Sequence, residues 1–202
     1  MKPLSFFVAV IFLFGFASKP PVISNQERKF AEDLLLQTEA GVINSIIGLS
    51  DAQLNFKPAP DKWSVLDCVK HIAITEQSLW QMTNGAIATA VNPEKRSEIK
   101  ATDEQVVEMI ESRARKVKTT TPMEPKNTPY KSLHEALESF VKSRSKLINY
   151  VKSTDADLRN HVVNMGFASF DAYQMILFIG AHSNRHTQQI EEVKADPNFP
   201  KN

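Results

Sequence analysis

Apolar residues recur at helical spacing along nearly all of this sequence beyond its N-terminal segment, and no stretch alternates convincingly as a strand would. Side chains three or four positions apart share one face of a helix, so this repeat predicts amphipathic helices. It predicts four long helices, over about residues 25–49, 64–90, 132–151 and 169–194, and a short one over about 102–118. The expected fold is all-α, an up-and-down four-helix bundle with a short extra helix between the second and third long helices.

Polar and turn-forming residues mark where these helices begin and end. Ser24 or Asn25 can cap the first long helix, and Ser64 is followed three residues later by Asp67, the spacing of a capping box. Three prolines make residues 119–130 a loop, and residues 160–167 are expected to form another around their glycine.

The N-terminus differs in kind from the rest of the chain. Met1-Lys2 is followed by an almost continuous apolar run from Leu4 to Ala17, which is shorter than the roughly 20 residues needed to span a membrane. Small residues near its end fit a cleaved signal peptide over residues 1–18. The pattern predicts an exported protein, periplasmic or extracellular, without stable membrane insertion after cleavage. The alternative is a chain tethered to the membrane by an uncleaved N-terminal segment.

Length and composition limit the mature chain to an ordinary globular domain, expected over residues 24–197. The net charge is +1, and basic residues are interleaved with acidic ones. Nucleic acid is therefore not an expected partner, because phosphate binding requires a clustered basic surface. Cys68 is the only cysteine, so no internal disulfide can form. A homodimer formed through exposed helix faces stays open.

The histidines carry the clearest chemical signal in the sequence. His182 and His186 are four residues apart on the last predicted helix, which places both rings on one face. The same face carries Met175, Ile179 and Ile190, so the two imidazoles occupy core positions. Burying them without partners costs free energy, and one shared metal ion would satisfy both. Hydrogen-bonded core histidines are the alternative.

A third histidine on the second long helix could complete such a site. His71 lies near the inward face of that helix, among Cys68, Ile72 and Leu79. Three neutral imidazoles would leave coordination positions open for water or substrate. Zinc, nickel and iron(II) all suit imidazole ligands, so the expected cofactor is one divalent transition metal whose identity the sequence does not select.

The remaining candidates for chemistry carry weaker signals. Cys68 stands one helical turn before His71 and is expected to be a small core residue, although a thiolate ligand is the alternative. His134 begins a predicted helix and His161 lies in a predicted loop, so both are expected to be solvated. No arrangement of serine or cysteine with histidine indicates a nucleophile, and no motif places a pair of carboxylates.

Two segments together resemble the DinB-like (damage-inducible) four-helix-bundle family. The first is Leu54-Asn-Phe-Lys-Pro-Ala-Pro-Asp-Lys-Trp-Ser-Val65, followed by His71 in the helix that it opens. The second is Ala181-His-Ser-Asn-Arg-His-Thr-Gln-Gln-Ile190. The order of predicted helices also matches, including the short extra one, so the resemblance covers nearly the whole mature chain.

The resemblance implies a metal bound by one histidine of the second helix and two of the last, which here are His71, His182 and His186. Gln189, Arg185 or Glu76 are candidate outer partners of these ligands.

Proteins of this kind include thiol-cofactor transferases, so the resemblance implies a metal-dependent hydrolase or a thiol transferase acting on a small molecule that the sequence does not identify. The predicted export counts against the transferase, because low-molecular-weight thiol cofactors are held inside cells, and it makes a hydrolase that uses water a serious rival. A non-catalytic metal-binding or stress-related helical protein is the alternative from another class.

Overall fold

The computed structural model describes residues 22–201. Its regular elements there are four long α-helices, two short α-helices, four short 3-10 helices and a two-stranded hairpin. The predicted signal peptide at residues 1–18 lies outside this range. The long helices are α1 (Asn25–Ile46), α3 (Val65–Ile87), α5 (Leu133–Ser153) and α6 (Ala172–Lys194); the short ones are α2 (Asp51–Asn55) and α4 (Asp103–Glu111). Strands β1 (Val162–Asn164) and β2 (Ser169–Asp171) pair antiparallel.

The predicted helix starts are confirmed at the two capping sites. Ser24 accepts a hydrogen bond from the backbone N–H of Glu27, whose side chain in turn accepts one from the backbone N–H of Ser24. Ser64 and Asp67 form the same reciprocal pair at the start of α3. Each box satisfies two backbone donors that the first helical turn leaves without partners.

The four-helix bundle is confirmed, but its helix directions do not alternate strictly as an up-and-down bundle would. Tyr173 donates to the carbonyl of Glu27 at one end of the bundle, and Lys194 donates to that of Ser45 at the other. These contacts make α1 and α6 parallel neighbours. The early parts of α3 and α5 share one apolar cluster and their later parts another, so these two helices are parallel as well.

The long connection between α3 and α5 explains this arrangement. Two parallel helices of more than 20 residues can be joined only if the chain returns along the whole bundle, about 1.5 Å per residue. Residues 88–132 make that return, and α4, the confirmed short extra helix, packs against α6 on the way. The directions are therefore up, down, down and up.

The bundle core consists of two apolar clusters with a polar layer between them. One cluster surrounds the start of α6, with Leu35, Leu147 and Ile176 among its members, and the other surrounds its end, with Val69 and Phe140. The polar layer contains buried hydrogen-bonding side chains from all four long helices: Thr38, Glu76, Arg144 and Ser183. Two histidines of the candidate site, His182 and His186, lie beside Ser183 of this layer on α6.

Two local predictions were wrong. The helix expected over residues 102–118 ends at Glu111. Beyond it, the carbonyls of Ser112 and Arg115 accept hydrogen bonds from Arg185 of α6, and Val117 is 78% exposed. Residues 160–167 are not only a loop, because β1 begins there and pairs with β2 through a turn in which Gly166 has a φ of +83°. Three-residue strands are too short to show alternation in the sequence.

Candidate metal centre

His71 is positioned by the start of α3. The capping box at Ser64 fixes where the helix begins, and the second turn then carries the imidazole inward, where it is 3% exposed. Trp63, just before the cap, packs its indole against this ring with 4.8 Å between ring centroids. The Pro-rich turn before the helix therefore supplies both the helix start and one wall of the site.

His182 and His186 approach the same point from α6. Their ring centroids are 4.6 Å apart. The ring centroid of His71 lies 5.1 Å from that of His182 and 4.5 Å from that of His186. One potential ligand atom from each residue lies within 4.8 Å of the other two. The antiparallel packing of α3 on α6 thus brings together the three histidines that the sequence singled out.

Hydrogen bonds orient two of the three rings. The Nδ1 atom of His71 lies 2.8 Å from the carbonyl oxygen of Met123, and that of His186 lies 2.9 Å from Oε1 of Gln189. Both partners are acceptors, so each Nδ1 must carry the proton. A neutral imidazole has one N–H and one lone pair, and in both rings the lone pair is therefore left on Nε2.

Burial keeps these histidines neutral. Loss of solvation lowers the pKa of His71, and it lowers the pKa values of His182 and His186 well below the ordinary range, with a further contribution from neighbouring histidines. Within residues 22–201, no carboxylate or thiolate belongs to the cluster. The site therefore offers three uncharged nitrogen donors, the protonation state that metal binding requires.

Aromatic rings pack against the imidazoles, and the three histidines differ in their exposure. Trp63 stacks near His186, with centroids 5.8 Å apart and planes at 26°, and Phe178 stacks on His182 at 6.3 Å and 20°. His71 and His186 are buried, whereas His182 is partly exposed. The cluster is therefore least enclosed at His182.

Residues 112–115, which follow α4, form a strap along α6 beside the site. The Arg185 guanidinium donates to the carbonyls of Ser112 and Arg115, and Gln188 donates to that of Glu111. Arg113 contacts Glu192 and Gln189. Sequence analysis missed Arg113 and the carbonyl of Met123, because the contacts join residues more than 50 positions apart and no local motif marks them.

The structure separates the other candidates. Gln189 contacts His186, as expected of an outer partner. Arg185 instead donates to the carbonyl of Arg115 in the strap, and Glu76 pairs with Arg144. Cys68 is fully buried, as expected, and burial raises the pKa of its thiol.

Of the remaining histidines, His134 is exposed as predicted. The prediction for His161 was wrong. His161 is buried, and its carbonyl accepts a hydrogen bond from the backbone N–H of Ala172 at the start of α6.

These residues fit a divalent transition metal. Nitrogens bound to one tetrahedral zinc lie about 3.4 Å apart, since each Zn–N bond is about 2.0–2.1 Å. Ligand atoms within 4.8 Å of one another reach that spacing by small side-chain rotations. An N–H hydrogen-bonded to a carbonyl or amide oxygen, as in His71 and His186, is the usual outer partner of a metal-binding imidazole.

Comparison with known proteins agrees with this architecture. The protein YuaE of Bacillus subtilis (strain 168), described as uncharacterized, is 25% identical over 151 residues, covering 75% of this chain and 89% of its own. A solved structure, YfiT from Bacillus subtilis, superposes with a TM-score of 0.59 at 13% identity, covering 88% of this chain and 91% of its own. YfiT is described as a probable metal-dependent hydrolase with an unusual four-helix bundle topology.

The family comparison is more direct. The model of the DinB superfamily matches residues 35–190, which include the greater part of α1, all of α3 to α5 and most of α6. His71, His182 and His186 all lie inside the matched range. The chain belongs to the DinB superfamily.

Proposed function

We propose that this protein binds one divalent transition metal through His71, His182 and His186. The observation that carries the proposal is the convergence of three neutral, largely buried imidazoles from two helices on one point. Desolvating three polar rings side by side is unfavourable unless each lone pair has a partner. The Nδ1 atoms of His71 and His186 already have partners in the protein, so a metal ion would give a partner to their Nε2 lone pairs.

The donor set limits the kind of metal. Three imidazole nitrogens suit zinc, nickel or iron(II), whereas magnesium and calcium prefer oxygen ligands. Neutral ligands leave the full charge of a divalent ion uncompensated. A divalent ion held by these ligands would therefore favour chemistry in which a negative charge develops beside it.

We further propose that the protein is a metal-dependent hydrolase. A divalent ion held by three neutral imidazoles supplies Lewis acidity and lowers the pKa of water toward neutrality. The chain's own residues would orient the ligands through Met123 and Gln189, and Trp63 and Phe178 would wall the site with apolar rings. The description of YfiT as a probable metal-dependent hydrolase supports this proposal.

A substrate screen on stripped and reloaded protein tests the hydrolase. The mature protein is freed of metal with a chelator, reloaded with zinc, nickel or iron(II), and assayed against ester, amide and thiol-conjugation substrates. We expect hydrolysis that disappears on chelation, returns on reloading and is absent from H186A. H134A, which removes an exposed histidine, is the matched control. Thiol conjugation without hydrolysis would favour a transferase, and metal binding without turnover a non-catalytic metal-binding protein; either result contradicts the hydrolase.

We also propose that the protein is exported after removal of residues 1–18. The support is the apolar run between Leu4 and Ala17 behind one lysine. Among residues 22–201, no helix has the length and apolarity needed to cross a bilayer.

A further inference from the structure

Arg113 joins the strap to α6 with three side-chain hydrogen bonds. Its Nε and one terminal nitrogen contact the two carboxylate oxygens of Glu192 at 3.0 and 2.5 Å. Its other terminal nitrogen lies 3.2 Å from Oε1 of Gln189. The bidentate contact fixes the plane of the guanidinium and so aims the third donor at the amide of Gln189.

The amide oxygen of Gln189 consequently has two donors. It accepts from Arg113 and lies 2.9 Å from Nδ1 of His186. A glutamine amide has an acceptor end and a donor end, and rotating it by 180° exchanges them. Arginine can only donate, so its presence favours the orientation in which the oxygen faces both Arg113 and His186.

The amide orientation decides where His186 carries its proton. With the oxygen facing Nδ1, the proton resides on Nδ1 and Nε2 keeps its lone pair. With the NH₂ group there instead, Nδ1 would have to accept and the proton would move to Nε2. That tautomer has no lone pair at Nε2 to give to a metal ion.

We infer that Arg113 is a positioning residue that sets the tautomer of His186 through the amide of Gln189. The metal-binding consequence rests on the proposed function, whereas the tautomer itself is a property of the metal-free protein. The strap is anchored independently, because Arg185 holds the carbonyls of Ser112 and Arg115 on either side of Arg113. Removing the Arg113 side chain therefore leaves the backbone of the strap in place.

The test compares R113M with R115M. Both variants remove one positive charge from the strap, but the Arg115 side chain is exposed and only its backbone carbonyl is anchored. Nitrogen-15 NMR of the metal-free proteins at pH 8 reports which ring nitrogen of His186 is protonated. Zinc affinity is measured by competition with a chromophoric chelator, and thermal unfolding verifies that each variant is folded.

We expect Nδ1–H in the wild type and R115M, and a substantial Nε2–H population in R113M. Zinc affinity should fall about tenfold in R113M, the lower end of the range for outer partners of metal ligands. In a Q189E background, R113M should cost little zinc affinity, because a carboxylate accepts in either orientation.

An unchanged tautomer in R113M would overturn the inference, as would an equal loss of affinity in the Q189E background. A wild type that binds no zinc would defeat the proposed metal site, while the tautomer shift would still decide the role of Arg113.

Discussion

Arg144 and Glu76 form a bidentate ion pair at the centre of the bundle, with nitrogen–oxygen distances of 2.8 and 2.6 Å. The other guanidinium donors reach the carbonyl of Leu35 and the hydroxyls of Thr38 and Ser183. One buried arginine thereby contacts the three other long helices. Burial raises the pKa of the Glu76 carboxyl and the contact with Arg144 opposes that rise, so the pair depends on both partners.

Replacing Arg144 alone should destabilise the fold strongly. R144M leaves the Glu76 carboxylate buried without its partner, and removal of one member of such a pair costs about 3–5 kcal/mol. Urea unfolding at pH 7 measures the loss. The double variant R144M/E76Q should recover a large part of it, because no buried charge is left unpaired. A double variant no more stable than R144M would show that the pair is not what orders this layer.

The stability of the metal-free protein should fall as the pH drops below about 6.5. Burial lowers the pKa values of His71, His182 and His186 below their unfolded values near 6.5. Between the folded and unfolded pKa values the unfolded chain binds more protons, so stability decreases as the pH falls through that window and is unaffected above it. Each histidine contributes a slope of up to about 1.4 kcal/mol per pH unit.

Unfolding in EDTA at pH 7.5 and pH 5.5 checks this expectation. The matched control is the variant with glutamine at all three positions, in which the carboxylates titrate as before and the histidines do not. The wild type should lose more stability than the control over this interval. Equal losses would contradict the assignment of the pH dependence to the histidine cluster.

Two helical glycines should respond in opposite ways to a larger side chain, because only one of them is closely packed. A Cβ atom at Gly180 would lie 3.1 Å from Cγ of Leu34, whereas a Cβ at Gly85 would meet nothing within 4 Å. G180V should therefore destabilise by about 1–3 kcal/mol through overpacking. G85A should stabilise by up to about 1 kcal/mol, because alanine favours a helix over glycine. Thermal or urea unfolding of both variants measures these changes. A G180V variant that is as stable as the wild type would contradict the tight contact.

The predicted export has its own test. N-terminal sequencing of the protein purified from its native cells should give a start close to residue 19 in the exported fraction. A chain that begins at Met1 and stays in the cytoplasm would contradict the signal peptide. A chain that begins at Met1 in the membrane fraction would instead support the tethered alternative.

The sequence predicted those features that depend on local spacing. The spacing of Ser64 and Asp67 predicted the start of α3. The four-residue interval between His182 and His186 predicted that both rings lie on one face of α6. The position of His71 on an inward face followed from the same repeat. Such features depend only on the geometry of a single helix. The combination of the three histidines into one site came from the resemblance to a family.

Features that join distant parts of the chain were not predictable in this way. Arg144 meets Glu76 across 68 positions, and Arg113 meets Gln189 across 76. Helical periodicity shows which face of a helix is apolar but not which other helix packs against that face. The parallel pairing of α3 with α5 could therefore not be predicted from it. His161 directly precedes β1, and strands this short leave no pattern in the sequence from which its burial could be predicted.

The most direct test of the central claim is the metal content of the mature protein, purified without a histidine tag and without added metal. Elemental mass spectrometry should find about one equivalent of zinc, nickel or iron in the wild type and in H134A. H71A, H182A and H186A should each have lost most of it while staying helical by circular dichroism. A wild type that contains no metal even after reconstitution, or histidine variants that retain it fully, would contradict the three-histidine site.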